Sequence, residues 1–584
     1  MAAGLFSIAA APALAQQPLR LVPLDPPATT GRPLEIAPGA APRPLEAPDA
    51  GRAGGWASGG IQVQDLKAPS VESVGVLDSR QGGLGPRMWE GTPATVVRAL
   101  LPLLPAANGS HVMRDLARRL LLTAATAPEG ADAAAAGGGS TLVEMRAERL
   151  MALGDTDGLA ALAAVAPGAA AGPRLTRMAV EADLASGRVD KACAGAASAL
   201  AAGHDGPLAM VQVYCTLAAG NTLQGNLALD LLRERKEADP AFVAAAEVMA
   251  GLPPVPVDKL SLPRPAPVHV AAFAAAGQPL PADAPAAAGP VALKAMALSS
   301  LPASQRLAAA ERAEYLGVVE AETVRKLYGE QPFGPADLSA AIPQAEAGGP
   351  AARALLFRAA QDMPDEGVRA QIVAKALGLA AAKGELGSAA RVFRPLVEAI
   401  RPVPEQHRLA PLATRALYVL GRAEAAAKWL DVVRMGPQPA AAHALWPYAA
   451  IAAAGGGQPI AGPAYAGWRT SLEGVAPELA ARRAAIVLGA LAGLGARVPD
   501  AAWLDTLALP AGGPRPGLFA LMQGGALDAR PGITVLSALA AIGDVPLDKA
   551  EPLALSEAVS ALMVVGLADD ARKLAVEALA ANGI

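Results

Sequence analysis

The sequence predicts an all-α protein, an α-solenoid of paired antiparallel helices that follows a disordered N-terminal leader. The first observation is a repeat, because Gly154, Gly187 and Gly220 recur at a fixed step of 33 residues between helix-forming stretches. A period near 33 is typical of helix–turn–helix solenoids. The second is composition: 53% of the residues are hydrophobic and only 3% aromatic, so Ala, Leu and Val dominate and favour helices. The third is the high density of proline before residue 70, which opposes helix formation.

Residues 1–15 are predicted to be a signal peptide. Residues 5–13 form a short apolar segment, and Ala13, Leu14 and Ala15 fit the small-x-small pattern that precedes cleavage, here before Gln16. No Lys or Arg precedes the apolar segment, which we interpret as a natural start upstream of Met1. The alternative is the start of an ordinary Ala-rich helix. A signal peptide predicts export, and we expect a periplasmic protein.

The remaining chain is divided by composition into five segments. Residues 16–70 are rich in Pro, Ala and Gly and are predicted to be a disordered leader. An N-terminal helical hairpin is predicted at 71–124, helical repeats at 140–251, a Pro/Ala-rich break at 252–290, and further helical repeats at 291–584.

The first helices are predicted from their capping residues. Thr92 stands before a proline, a pairing typical of a helix start, and this helix is expected to reach about residue 104. Ser110 is expected to cap the next helix. Thr141 and Glu144 have the spacing of a capping box, which predicts the start of the repeat array.

The repeats are predicted from small turn residues that separate apolar helical faces. In the helix from Pro173, apolar residues recur at the i, i+3, i+4, i+7 spacing of one helix face. Further glycines follow helix-forming stretches in the second half of the chain and predict the same turn. They are Gly317, Gly384, Gly421 and Gly566. The last helix is predicted over residues 570–581.

The two cysteines are predicted to form a disulfide. If one helix ends near Ala202 and the next begins near Gly206, Cys193 and Cys215 both lie nine residues from the turn and face each other. Exported proteins meet oxidising conditions. The disulfide would close a loop of about 23 residues and add about 3 kcal/mol of stability. The alternative is a pair of buried free thiols, which helical cores tolerate.

Two passages resemble the tetratricopeptide repeat family. Residues 185–192 (Ala-Ser-Gly-Arg-Val-Asp-Lys-Ala) and 419–426 (Val-Leu-Gly-Arg-Ala-Glu-Ala-Ala) each carry a small turn residue before a helix with Ala at a close-packing position. The aromatic positions and the closing proline of that family are mostly missing. The resemblance implies a helical solenoid and leaves the ligand open. The whole chain also resembles exported, Ala-rich bacterial proteins, some of which carry antifreeze-like labels.

Charge and hydropathy exclude two classes of partner. The formal net charge is −4, so the basic field of a nucleic-acid-binding protein is not expected. Arg114, Arg118 and Arg119 are predicted to form a solvated helix face. No membrane-spanning segment is predicted in the mature chain, because prolines and a glycine triplet interrupt the long charge-free stretch 435–468. That stretch is interpreted either as a contact patch for a partner or as buried array.

No catalytic, cofactor-binding or metal-binding residue is predicted, and no cofactor is expected. The five histidines lack metal-ligand spacing and are expected at the surface or at helix starts. They are His111, His204, His269, His407 and His443. The run from Asp155 to Gly158 has too few ligands for a calcium loop and is expected to cap a helix. Trp89 is the tryptophan expected to be exposed.

The favoured function is a non-enzymatic envelope scaffold that binds a protein partner through the helical-repeat surface. A second hypothesis is a cell-wall enzyme or muropeptide-binding protein, since lytic transglycosylases also carry long helical superstructures. The repeats are expected to reach the last helix, which leaves no room for a compact catalytic domain. Ice binding ranks last, because the threonines do not repeat every 11 residues.

Overall fold

Helices follow one another along the described part of the chain, in which β-structure is limited to three isolated bridges. The computed structural model describes residues 70–132, 140–166, 172–510, 513 and 515–584. These residues fall in one unit, Lys67–Ile584, and the other unit, Met1–Leu66, lies outside the described residues. The predicted all-α solenoid is confirmed. The signal peptide, the cleavage site at Ala15 and Gln16, and nearly all of the leader lie outside the described residues.

The helices are numbered in chain order. The first ten are α1 (Ala94–Leu100), α2 (His111–Leu122), α3 (Leu142–Leu153), α4 (Thr156–Val165), α5 (Pro173–Ala185), α6 (Val189–Ala202), α7 (Gly206–Ala218), α8 (Thr222–Arg235), α9 (Pro240–Met249) and α10 (Pro267–Ala275). The next nine are α11 (Ala284–Ala287), α12 (Pro290–Leu298), α13 (Ala303–Tyr315), α14 (Ala321–Gly329), α15 (Pro335–Ser339), α16 (Ala341–Gln344), α17 (Gly349–Asp362), α18 (Glu366–Ala381) and α19 (Leu386–Ala399). The last nine are α20 (Ala410–Val419), α21 (Ala423–Met435), α22 (Ala441–Ala453), α23 (Gly462–Thr470), α24 (Pro477–Gly493), α25 (Pro516–Leu527), α26 (Pro531–Ile542), α27 (Pro552–Val564) and α28 (Ala568–Ala581).

Helices that are consecutive in the chain pack as antiparallel pairs. The pairs α5–α6, α7–α8, α12–α13 and α20–α21 are in extensive contact, and α6 also packs on α7. Small side chains permit this close approach: Ala182, Ala192 and Ala196 are fully buried where α5 and α6 meet their neighbours. Each pair therefore buries its apolar faces on the next pair, as in a solenoid.

The turns between paired helices depend on glycine in the left-handed conformation. Gly187 has φ 74° and Gly421 has φ 70°, values that an L side chain adopts only at a cost. After Gly187, the N–H of Arg188 donates to the Asp183 carbonyl at 2.9 Å, which satisfies the end of α5 as in a Schellman motif. The other predicted turn glycines also have positive φ. They are Gly154, Gly220, Gly317, Gly384 and Gly566.

The predicted helix caps are partly correct. Ser110 accepts the Met113 N–H at 3.1 Å, and Thr141 and Glu144 form the reciprocal capping box. The Thr92 prediction was wrong: its hydroxyl makes no cap bond, and Pro93 occupies the cap position. The helix from residue 94 ends at residue 100, and a 3-10 turn continues it to residue 103.

The segment 252–290 does not interrupt the array. Its helix α10 packs against α5, α7, α9 and α12, and Val270 and Phe273 are buried there. Most of its prolines lie in the connections, and Pro267 is the first residue of α10, a position where proline is tolerated. The break in composition is therefore not a break in packing.

The array closes on itself between its first and last helices. Helix α2 packs on α26 and on α28, and α28 also contacts α19, α20, α22, α24 and α27. Arg119 Nη1 lies 2.7 Å from Asp570 Oδ2, and the N–H of Ala107 donates to Asp544 Oδ1 at 2.8 Å. The last helix is thus surrounded by helices from several parts of the described chain.

The described helices include none that combines the length and the apolar character needed to cross a membrane.

Candidate functional site

Helix α8 carries a row of exposed leucines on its outer side. Leu223, Leu227 and Leu231 are 87%, 73% and 48% exposed. They follow one another at intervals of four residues, so they lie above one another on one face of the helix. Leu229 and Leu232, on the other side, are buried against the array. We call Leu223, Leu227 and Leu231 the leucine row.

The platform beneath the leucine row is built by close packing of α8 on α7. Gly225 lies in α8, and a Cβ added there would lie 2.3 Å from Leu217 Cδ2 in α7. A side chain at this position would force Leu217 into another rotamer, so glycine favours this separation. The approach of α8 to α7 fixes which face of α8 is buried, and the leucine row is left facing solvent.

Cys193 and Cys215 are brought together under this platform. Helix α6 ends at Ala202 and α7 begins at Gly206, as predicted, and a disulfide joins Cys193 to Cys215 with their Cα atoms 5.8 Å apart. This Cα–Cα separation is within the usual range for a cystine. The cross-link joins the two helices that precede α8 in the chain.

The arginine cluster of α2 does not form the predicted solvated face. Arg114 donates to a main-chain carbonyl at the end of α3, and burial lowers the pKa of Arg114. Arg118 Nε lies 3.1 Å from Asp155 Oδ2, and Arg119 pairs with Asp570 of α28. The prediction was wrong because α2 is covered by later helices when the array closes, which a local pattern does not report.

Two neighbouring cavities with charged linings lie between α13 and α19, and the second also reaches α28 and the residues that precede α2. They have volumes of about 220 and 270 Å³ and share Tyr315, Glu385 and Ser388 as wall residues. In the first, Glu311 Oε1 accepts the Tyr328 hydroxyl at 2.6 Å and Arg353 Nε at 3.0 Å. Burial, followed by the Glu311 charge, raises the pKa of Tyr328 well above its ordinary value.

Glu314 and His111 link three helices beside the second cavity. Glu314 is 1% exposed, and its carboxylate accepts Arg391 Nε at 2.6 Å and the Ser388 hydroxyl. His111 Nε2 donates to the Glu314 main-chain carbonyl at 2.9 Å. Burial and then the Arg391 charge lower the pKa of His111 to about 3, so the ring is neutral at physiological pH.

Glu577 of α28 lines the second cavity. Its Oε2 accepts the Ser110 hydroxyl at 2.5 Å and the Val112 N–H at 3.4 Å. Burial raises the pKa of Glu577 above its ordinary value, although these hydrogen bonds act in the opposite direction. No local sequence pattern indicates this carboxyl, because its partners are more than 460 residues away in the chain.

The remaining histidines lie mostly at helix starts, as expected. His269, in the first turn of α10, is buried; its Nδ1 accepts the Ala266 N–H at 3.0 Å, and its Nε2 lies 2.6 Å from Asp239 Oδ2. His204 Nε2 lies 2.9 Å from the Glu237 carboxylate. His443 is exposed in the first turn of α22, and His407 is half-buried beside a 3-10 turn.

No group of three or more metal-ligating side chains is present among the described residues. Asp155 caps α4 by accepting the Gly158 N–H at 2.9 Å, as expected. Asp157 pairs with Lys294 at 2.9 Å and with Arg188 at 2.8 Å. The carboxylates of this run therefore serve capping and ion pairing.

The stretch 435–468 is partly buried in the array. Tyr448 and Trp468 are at most 1% exposed, and Trp446 packs on Trp468 with ring centroids 6.1 Å apart, whereas Met435 is 68% exposed. The contact-patch interpretation of this stretch stays a prediction. Trp89, expected to be exposed, is 8% exposed, whereas Trp503 is 37% exposed. The Trp89 prediction failed because surface position was inferred from irregular local sequence.

A comparison with known protein families, with curated proteins and with solved structures finds no match to this chain.

Proposed function

We propose that the protein is a non-enzymatic scaffold of the bacterial periplasm, and that a protein partner binds it at the leucine row. The observation that carries this proposal is the exposure of Leu223, Leu227 and Leu231 along one face of α8. Aligned apolar side chains of this size on a folded surface are a feature of interaction sites.

The free energy available at the leucine row is large enough to support a specific complex. The three exposures together equal about two fully exposed leucines. Complete burial of one leucine contributes about 1.5–3 kcal/mol, so covering the row would contribute about 3–6 kcal/mol before the costs of association. This free energy is sufficient for the apolar centre of an interface. The remaining binding free energy would come from the polar rim of the interface.

The shape of the row favours a helical partner. Side chains at i, i+4 and i+8 form a ridge that fits the groove between rows of side chains on another helix. Polar side chains border the ridge on α8, including Gln224, Asp230 and Glu234. An apolar ridge with a polar border matches recognition of an amphipathic helix, which presents apolar residues at the same spacing.

The disulfide supports assignment to an oxidising compartment. Cys193 and Cys215 cross-link α6 to α7, and α7 carries α8. Disulfides persist in the periplasm and are rare in the cytosol. Periplasmic location also agrees with the signal peptide predicted to end between Ala15 and Gln16.

The test is capture of a partner from the envelope fraction with the tagged chain from Gln16 onward. The test variant replaces the row as Leu223→Gln, Leu227→Gln and Leu231→Gln. The control variant replaces three equally exposed leucines elsewhere, Leu504, Leu507 and Leu527, by Gln. We expect one stoichiometric protein with the wild type and the control, and its loss with the row variant. A synthetic helix from that protein is then expected to bind the wild type directly.

Equal capture by the row variant and the wild type would refute the docking surface. Recovery of the wild-type chain without any partner would refute the scaffold function. A second copy of the chain could occupy the leucine row instead of another protein. Light scattering of the purified chain tests this, because the wild type would then form a dimer that the row variant does not form.

Glu577 favours one alternative, a cell-wall-associated enzyme or muropeptide-binding protein. A carboxyl with a raised pKa inside a cavity has the property of a general acid. The cavity of about 270 Å³ is smaller than ordinary ligand pockets of about 300–1,000 Å³, which weighs against a glycan substrate. Release of muropeptides from purified cell wall by the wild type, and its loss in Glu577→Gln, would favour the alternative.

A further inference from the structure

A third cavity, of about 690 Å³, has five cationic side chains in its wall. It lies beside the C-terminal end of α28 and shares Lys383 and Asp548 with the second cavity described above. Its cationic wall residues are Lys383, Arg415, Arg482, Arg483 and Lys549. We call it the cationic cavity.

Arg415 has no protein partner in the part of the chain that the structure describes. Its Nε is shielded from solvent and makes no hydrogen bond, and its guanidinium forms no ion pair with a described carboxylate. A buried guanidinium nitrogen that lacks an acceptor carries a desolvation cost. Arg415 is therefore poised to receive an acceptor from outside the protein.

The other cations of the cavity are also only partly compensated. Arg483 Nε donates to the Asn582 carbonyl at 3.2 Å, and burial and then the Arg415 charge lower the pKa of Arg483. Arg482 donates to the main-chain carbonyls of Asp548 and Ala550. These acceptors are neutral, so they orient the guanidinium groups without cancelling their charge.

One side-chain carboxylate opposes five cations in the described wall. It is Asp548, which lies 3.5 Å from Lys549. The excess of positive charge is a local property, because the whole chain has 49 basic and 53 acidic residues. A concave site lined by one sign of charge concentrates oppositely charged small molecules.

We propose that the cationic cavity binds a small multivalent oxyanion, a molecule that carries two or more phosphate or carboxylate groups. Arg415 and Arg483 supply its principal contacts, and Lys383 and Lys549 border the opening. The planar guanidinium of arginine matches the paired oxygens of a phosphate and of a carboxylate. These paired anionic oxygens are therefore the shared chemistry of the ligand. The volume admits a molecule larger than inorganic phosphate and smaller than a folded chain. This site is separate from the leucine row and does not depend on the proposed function.

The test is isothermal titration calorimetry of the full chain at constant ionic strength. The probes are pyrophosphate, citrate and inorganic phosphate, and sodium chloride serves as the blank. The test variants are Arg415→Gln and Arg483→Gln. The matched control is Arg235→Gln, which removes the same charge from an exposed position on α8 outside the cavity. Thermal unfolding without ligand checks that each variant is folded.

We expect pyrophosphate or citrate to bind the wild type and Arg235→Gln equally, and each test variant at least about tenfold more weakly. Arg415→Gln is expected to retain or raise the unfolding temperature, because Arg415 makes no hydrogen bond or ion pair with the described residues. Stronger binding of pyrophosphate than citrate would identify phosphate as the preferred group, and the reverse would identify carboxylate. Absence of binding by both probes at millimolar concentration would overturn the proposal, as would equal affinity in the wild type and folded Arg415→Gln.

Discussion

Removal of the Cys193–Cys215 cross-link provides a quantitative test of the platform under the leucine row. The perturbation is Cys193→Ser together with Cys215→Ser. The two residues are 22 positions apart, and closure of a loop of that length lowers the entropy of the unfolded chain by an amount equal to about 3 kcal/mol at 25 °C. The substitution is expected to remove this contribution from the stability of α6 and α7.

The loss is expected to be local, because each pair of helices in a solenoid contacts mainly its neighbours. A loss of 3 kcal/mol corresponds to a roughly hundredfold increase in the population of the locally open state. Hydrogen–deuterium exchange measured by mass spectrometry should therefore accelerate about a hundredfold in peptides from Val189–Ala202 and Gly206–Ala218. Peptides from Pro477–Gly493 should keep their wild-type exchange rates.

Reductant provides the matched control for this experiment. The wild type should respond to a thiol reductant by exchanging as fast as the double variant, and the double variant should not respond. Titration of two free thiols in the chain isolated from the periplasm would refute the cross-link. An exchange rate in α6 and α7 that changes less than about threefold in the variant would refute the entropic reasoning.

Three further predictions concern the packing and the buried charges. Gly225→Val should destabilise α8 by about 1–3 kcal/mol, because its side chain would collide with Leu217, and it should weaken partner binding at the leucine row. Arg391→Ala should lower the free energy of unfolding by about 3–5 kcal/mol in urea denaturation, since it leaves the buried Glu314 carboxylate without its ion pair. His111, with a pKa of about 3 when folded and about 6.5 when unfolded, should make stability fall as pH decreases from about 6.5 to about 3.

The last two of these predictions each have an internal comparison. Arg434→Ala breaks an exposed pair with Asp431 and should cost at most about 1 kcal/mol, so an equal effect in both arginine variants would contradict the role of burial. For the pH dependence, His111→Gln removes the titrating group. The difference in stability between the wild type and His111→Gln should diminish as pH falls through the window, because the unfolded wild type then binds a proton that the folded form does not. If the difference in stability were the same at every pH, the pH dependence could not be assigned to His111.

The repeat architecture could be predicted because it depends on local chemistry. A glycine such as Gly187 marks a left-handed turn wherever helical sequence flanks it, and Thr141 with Glu144 specifies a cap within four residues. The same kind of local signal predicted that α6 ends near Ala202 and that α7 begins near Gly206. The positions of both cysteines, at equal distances from that turn, could then be predicted. These features involve residues that are close together in the chain.

The charged cavities and the closure of the array could not be predicted in this way. Arg119 and Asp570 are 451 residues apart, and nothing in either local sequence indicates the other. The leucine row was missed for a related reason. Leucines occur on both faces of α8, and the sequence does not tell which face is covered until the packing of Gly225 on α7 is known.

Closure of the array determines where each kind of ligand can bind. In an open solenoid the concave surface is the usual site for a partner helix or peptide. Here α28 contacts helices from both ends of the described chain, and the second cavity and the cationic cavity beside it are of small-molecule size. The proposed protein partner is therefore expected to use the outside, where α8 has its main contacts with α7 and α9 and presents the leucine row to solvent. The cationic cavity, in contrast, is large enough for a small anion and too small for a helix. The two proposed sites consequently address different classes of ligand, and variants of one should leave binding at the other unchanged.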